Sequence, residues 1–138
     1  MTKLLIAISF LLFVGSPFAN AEQVYYCVSE LSTGIIKDEK TGKWKGTRFK
    51  KTRYTIKFDD FFTELTGLDE IANYTCKSAF YTMEDIRICD SQQQNGNFFQ
   101  FNKTDLRFLY LITDVRGYLY DQKDSITNSM DAGTCQKF

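Results

Sequence analysis

The chain contains no histidine. That absence removes Ser-His-Asp and Cys-His nucleophilic centres, imidazole-ligated metal sites and imidazole proton transfer near neutral pH. Proline is almost missing as well: the single residue is Pro17, so Pro-rich linkers and tails are excluded. Four cysteines are present without any Cys-x-x-Cys pair, which argues against a zinc site built from them. No stretch has the spaced ligand loop of an EF-hand, and none has a phosphate-cradling glycine loop. Apart from the first residues, no long apolar run occurs.

Those first residues are expected to lie outside the fold. Lys3 supplies a positive start, residues 4–14 an apolar run, and Ala19-Asn20-Ala21 a small-x-small cleavage site. A spanning helix needs ~20 apolar residues, and Ser9, Gly15, Ser16 and Pro17 interrupt this run. Residues 1–21 therefore read as a cleaved signal peptide, with the mature chain starting at Glu22 and no transmembrane segment left. Val24-Tyr25-Tyr26 before Cys27 are not the small residues of a lipoprotein signal. Residues 22–138, about 117 in number, are enough for a single domain with a modest core.

Cys27, Cys76, Cys89 and Cys135 all fall in the mature part of a chain read as exported, so two disulfides are expected. Three pairings are possible. Cys27 with Cys135 and Cys76 with Cys89 is favoured, the first tying the opening strand to the closing one and the second closing a local hairpin.

What is abundant is period-two alternation, the mark of strands with one face buried. Tyr54, Ile56 and Phe58 alternate with Arg53, Thr55, Lys57 and Asp59. Leu106, Phe108, Tyr110 and Ile112 form a core row, while Leu109 and Leu111 suggest a partly covered opposite face. Phe99 and Phe101 precede that strand across a polar turn, and Gly117 opens a further expected strand at Tyr118-Leu119-Tyr120. Val24, Tyr26 and Val28 alternate with Tyr25, Cys27 and Ser29 in an opening strand. Thr33-Gly34 and Thr41-Gly42 read as turns around a short strand at Ile35-Ile36, and Tyr74, Cys76 and Ser78 as one row of a later strand. Asp59-Asp60 either turns the chain into a strand over 61–66 or caps a short helix ending at Gly67. The all-β surroundings favour the strand. Residues 92–97 read as a solvated loop. Turn signals at ~8 to 12 residues imply an all-β fold of about eight to ten strands, a small antiparallel barrel or sandwich. The many Phe and Tyr rings are most simply its core.

The chemistry left open is that of carboxylates. Asp59-Asp60, Asp69-Glu70 and Glu84-Asp85 are adjacent acids, but neighbours on a strand point to opposite faces, whereas a glycosidase needs two carboxyls converging across ~5 to 9 Å. These read as turn and surface acids, and no catalytic residue is assigned. Asp114, Asp121, Asp124 and Asp131 cluster loosely without a ligand pattern, so no metal or cofactor is implied. Asn73-Tyr74-Thr75 and Asn102-Lys103-Thr104 would matter as glycosylation acceptors only in a host that glycosylates exported proteins.

Charge is where the chain departs from the ordinary. Formal net charge is zero, yet residues 37–57 hold nine basic and two acidic residues, a balance of +7. The rest of residues 22–138 has seven basic and fifteen acidic residues, a balance of −8. Lys43, Trp44, Lys45, Arg48, Lys50, Lys51 and Arg53 form the candidate binding residues, in which an indole flanked by ammonium groups could meet an anionic surface, a polyanionic glycan or an acidic protein patch. A charged edge hairpin that discourages strand pairing accounts for the same lysines without any ligand. Nucleic acid is excluded as a partner by export and by the absence of net basic charge.

Tyr25-Tyr26-Cys27-Val28, Phe99-Gln100-Phe101-Asn102, Leu106-Arg107-Phe108, Gly117-Tyr118 and Gly133-Thr134-Cys135 give the chain a likeness to other sequences. In these it resembles a group of small exported bacterial proteins. It is more loosely similar to the periplasmic β-barrel inhibitors of C-type lysozyme, which share its size, export and disulfides. Their Ser-Gly-x-x-Tyr inhibitory loop has no counterpart, since the chain has no Ser-Gly dipeptide. The preferred expectation is a non-enzymatic periplasmic or secreted binding module. An inhibitor of an exogenous hydrolase such as lysozyme is the alternative, and a carboxylate-based glycoside hydrolase a weaker one.

Overall fold

Alternating side chains settle into nine strands in a computed structural model that describes residues 22–70, 72–91, 96–113, 118 and 128–138. The strands are β1 (Gln23–Lys37), β2 (Trp44–Arg48), β3 (Arg53–Phe58), β4 (Glu64–Thr66), β5 (Tyr74–Phe80), β6 (Met83–Ser91), β7 (Phe98–Asn102), β8 (Arg107–Ile112) and β9 (Asn128–Lys137). No helix occurs among the described residues. Every pairing is antiparallel, and from β3 to β9 each strand pairs with the next. Because β1 pairs with both β3 and β9, eight strands close into a barrel, with β2 as an extra strand beside β1. The fold is thus a barrel rather than a sandwich, and closure leaves fewer edges to protect.

The interior follows the alternation. Tyr25, Cys27, Ile56, Phe58, Tyr74, Cys76, Phe99, Phe101, Phe108 and Tyr110 are all buried. Phe99 stacks on Phe108 at 5.6 Å and Phe58 on Phe101 at 5.3 Å. Each such apolar side chain contributes about 1.5–3 kcal/mol when fully withdrawn from water. Both disulfides lie inside and join residues directly opposite in register, Cys27 to Cys135 and Cys76 to Cys89, as the spacing favoured.

Several local expectations need correction. Thr33-Gly34 is no turn: both lie within β1, and Ile35-Ile36 continue that strand rather than starting another. Gly34 is there because β9 passes too close for a side chain; a Cβ would run into the Asn128 carbonyl oxygen and stand 2.9 Å from the Phe49 ring. The alternative helix at residues 60–67 does not form. Asp59 instead caps a turn in which Phe62 has φ 54°, and the chain re-enters the sheet as β4. Ser78 is exposed, unlike Tyr74 and Cys76 in its row. Leu106 sits in the β7–β8 turn with φ 54° and packs only at the margin of the core. Tyr118 is a turn residue, and the meander's third strand is β9; Leu119 and Tyr120 lie outside the described residues, as do residues 1–21 and most of the loop over 92–97. Not all aromatics are core either: Phe61, Tyr81 and Phe138 are largely exposed.

Candidate functional site

The basic segment is shaped by a break in β1. Ser29 and Ser32 are both buried although three residues apart, because Glu30 is an extra residue relative to β9: Ser29 pairs with Gly133 and Leu31 with Ala132. Such a bulge reverses which side chains face inward. Along the other edge of β1 the register never slips. Val28 opposes Arg53 and Thr33 opposes Arg48, equal steps on both chains. β2 and β3 are therefore two pieces of one strand, interrupted at residues 49–52. The Ser29 N–H donates to the Thr52 carbonyl (2.9 Å), the Thr52 N–H to Ser29 Oγ (2.6 Å), and the Phe49 N–H to the Ser32 carbonyl (3.0 Å), so the interruption stays anchored.

Beyond the bulge, the second half of β1 runs between β2 and the start of β9 as a three-stranded arm. Its turn is closed by Asp38 N–H to the Lys43 carbonyl (2.8 Å), and the Asp38 carboxylate accepts the Lys40 and Thr41 amides. At its root the buried carboxylate of Asp131 accepts the hydroxyls of Ser32 and Tyr54. Burial pushes the Tyr54 phenol up, and the hydrogen bond to Asp131 adds to the shift.

The seven candidate residues are not equivalent. Lys45 donates to Asp38 at 2.6 Å; that hydrogen bond, with the Thr41 amide second, holds the Asp38 carboxyl at about 2. The Trp44 ring meets the Tyr118 ring edge-on at 5.4 Å, with Lys37 Nζ 5.9 Å over the indole. The ammonium beside the tryptophan is thus its cross-strand partner Lys37, not Lys43 or Lys45, because sequence neighbours on a strand face opposite ways. Lys43, Arg48, Lys50, Lys51 and Arg53 are all exposed, and none forms an ion pair within the described residues. These five follow the edge segment 43–53: Arg48 ends β2, Arg53 opens β3, and Lys43, Lys50 and Lys51 sit outside the two strands.

That edge also carries main-chain groups. Bonded pairs alternate along an antiparallel ladder. The Asp38–Lys43 and Ser32–Phe49 bonds put residues 45, 47 and 49 in contact with β1, so Gly46 and Arg48 turn their N–H and C=O groups the other way. The Ser29–Thr52 bond does the same for Arg53. Among the described residues β2 pairs with β1 alone, and β4 joins β3 only at Lys57 and Phe58.

Asp59 and Asp69 are engaged locally. Asp59 accepts the Thr63 amide (2.6 Å), the Thr63 hydroxyl (2.7 Å) and the Glu64 amide (2.8 Å). Burial alone would raise its carboxyl, but these donors, the Glu64 amide foremost, outweigh it and leave the group below the usual carboxylate range. Asp69 accepts the Ala72 amide and the Tyr74 hydroxyl, which also contacts the Tyr110 hydroxyl at 2.9 Å. Each of these carboxylates shapes a turn or meets a buried phenol. Glu84 and Asp85 are exposed on β6, and Asp114, Asp121 and Asp124 lie outside the described residues. No group of three or more acidic or cysteine side chains among the described residues could hold a metal ion.

Sequence reasoning did not identify Phe80, Tyr81 and Met83, exposed around the β5–β6 turn, where Phe80 and Tyr81 border an open cleft with Lys77 and Glu84. The Phe80-Tyr81-Thr82-Met83 run shows no turn residue of the usual kind, so nothing in it marks a tip. No helix of the described residues is long and apolar enough to cross a membrane. Comparisons with protein-family models, with curated proteins and with solved structures find no match to this chain.

Proposed function

We propose that this chain is a non-enzymatic binding module of the periplasm or the extracellular space, and that it engages an anionic partner through the basic arm. The observation that carries this is the run of five exposed cations, Lys43, Arg48, Lys50, Lys51 and Arg53, along the β2–β3 edge segment of an otherwise acidic domain, none of them in an ion pair among the described residues. Opposed charge distributions of this kind accelerate encounter and select partners. Two buried disulfides fit an oxidising, exported environment. The commitment of Asp59, Asp69 and Asp131 to turns and phenols supports binding over carboxylate catalysis.

The test is retention on an immobilised polyanion such as heparin, comparing the wild type with a variant carrying Arg48→Gln, Lys50→Gln, Lys51→Gln and Arg53→Gln. The variant should elute at clearly lower salt with an unchanged circular dichroism spectrum. Equal retention would remove the arm as the binding surface.

A further inference from the structure

The same edge presents exposed charge and outward-facing backbone groups at once, with the Arg48 carbonyl accepting only a long bond from the Thr47 hydroxyl at 3.4 Å. Gly46, Arg48 and Arg53 direct main-chain donors and acceptors away from β1, and Arg48 and Arg53 bring cationic side chains to the same line. A Cβ built on Gly46 meets nothing within 4 Å, so among the described residues the face of the strand is uncrowded there. We infer that the partner of this edge is an extended acidic polypeptide segment, which adds to β2 and the start of β3 as a further antiparallel strand. This deepens the binding-module reading and rests on it.

A glycan or a lipid surface answers the charge but has no strand to complete a ladder of N–H and C=O groups, whereas a peptide answers both. A second copy of this chain answers the ladder but would set one basic edge against another, and like charges directly opposite are destabilising. Acidic side chains on an added strand would instead stand opposite Arg48 and Arg53, the favourable case. The arginines that repel a self-pairing edge are thus the ones that select an acidic strand.

The probe is a ten-residue peptide alternating Glu with Val, paired with a version N-methylated at every second amide, which keeps its charge but cannot form the ladder. With the intact chain, the unmodified peptide should bind, slow the hydrogen exchange of the Gly46 and Arg48 amides, and lose roughly tenfold or more in affinity on N-methylation, because several backbone bonds are lost together. Arg48→Glu with Arg53→Glu should abolish that binding. If heparin binds but the peptide does not, or if both peptides bind equally, strand addition is wrong while the basic arm stands as a polyanion site. If neither heparin nor peptide binds, both ideas fall. Concentration-dependent dimerisation that protects the same amides without peptide would overturn the choice of partner.

Discussion

The hydroxyl of Tyr54 donates to the carboxylate of Asp131, joining residues 77 positions apart in the chain. Tyr54 belongs to β3 and Asp131 to β9, which flank β1 from opposite sides, so the bond ties both neighbours at the level where β1 bulges. Ser32, on β1 itself, donates to the other carboxylate oxygen. The arm is therefore rooted in a buried carboxylate satisfied by two hydroxyls from two strands.

Tyr54→Phe keeps the ring and its edge contacts with Phe108 and Tyr110 but deprives Asp131 of one donor. Urea unfolding should show a loss of about 1–3 kcal/mol, the usual cost of leaving a buried acceptor short of a partner. Ser32→Ala should cost a similar amount. Because both donors serve one carboxylate, the double variant should depart from the sum of the singles. Simple additivity would mean the two hydroxyls act independently.

Alkaline pH should unfold the barrel through its phenols. Burial raises Tyr54, Tyr74, Tyr110 and Tyr25 above the ordinary 10.0, with Asp131 adding to Tyr54 and Tyr110 and Asp69 to Tyr74. A group raised in the folded state stabilises it below the unfolded value, and that contribution is lost as pH climbs above 10. Tyrosinate absorbance and loss of near-ultraviolet dichroism should rise together beyond that point. Stability unchanged from pH 9 to pH 12 would contradict this.

At the arm's tip the dependence has the opposite sign. Lys45 and the Thr41 amide hold Asp38 at about 2, below its ordinary 3.8. A lowered carboxyl supports the fold above the unfolded value and gives up that support as pH falls through the folded one. Carbon-detected NMR titration should place the Asp38 midpoint near 2, and Lys45→Met should move it upward. A midpoint indifferent to Lys45 would show the ion pair to be absent in solution.

Removing the bridges should rank by loop length. Chain-entropy arithmetic for separations of 108 and 13 residues gives about 4.8 kcal/mol for Cys27–Cys135 and about 2.9 kcal/mol for Cys76–Cys89. Paired Cys→Ala variants should follow that order in chemical denaturation. A larger loss from the short bridge would point to packing around the sulfurs rather than loop closure.

Gly133→Ala should destabilise by more than 3 kcal/mol or so. Its Cβ would strike the Val28 carbonyl oxygen, lie 2.8 Å from Ser29 Cα and crowd the Phe108 ring, and the backbone of β1 cannot yield there without breaking the barrel seam. Gly46→Ala, into open space, is the control and should fold normally. Equal thermal midpoints for the two variants would count against the close approach at the seam.

Period-two rows made Ile56 and Phe58, and likewise Phe108 and Tyr110, legible as core without coordinates, because a strand's side-chain direction is set by local geometry alone. The Cys27–Cys135 clasp was legible for a related reason: both cysteines fall in alternating strands at the two extremes of the chain. Gly34 was misread because its cause lies outside its own segment. A glycine forced by a turn and one forced by a strand passing close by look identical in sequence, and only Asn128 and Phe49 distinguish them. The candidate site was half legible. Its basic character is plain in residues 37–57, while the division between Lys45, neutralised by Asp38, and Arg48, left exposed, depends on which side chains meet across the arm.

By itself, then, the sequence determined an all-β chain with an aromatic core, two disulfides and a segregated basic stretch, all consequences of local alternation and composition. Tertiary structure decided that the sheet closes through β1 and β9, that β2 and β3 share one register along β1, and that Gly46, Arg48 and Arg53 line an edge. The reason is physical: closure and register depend on hydrogen bonds between residues as far apart as Tyr25 and Lys137, and on a one-residue bulge at Glu30 that no local pattern announces.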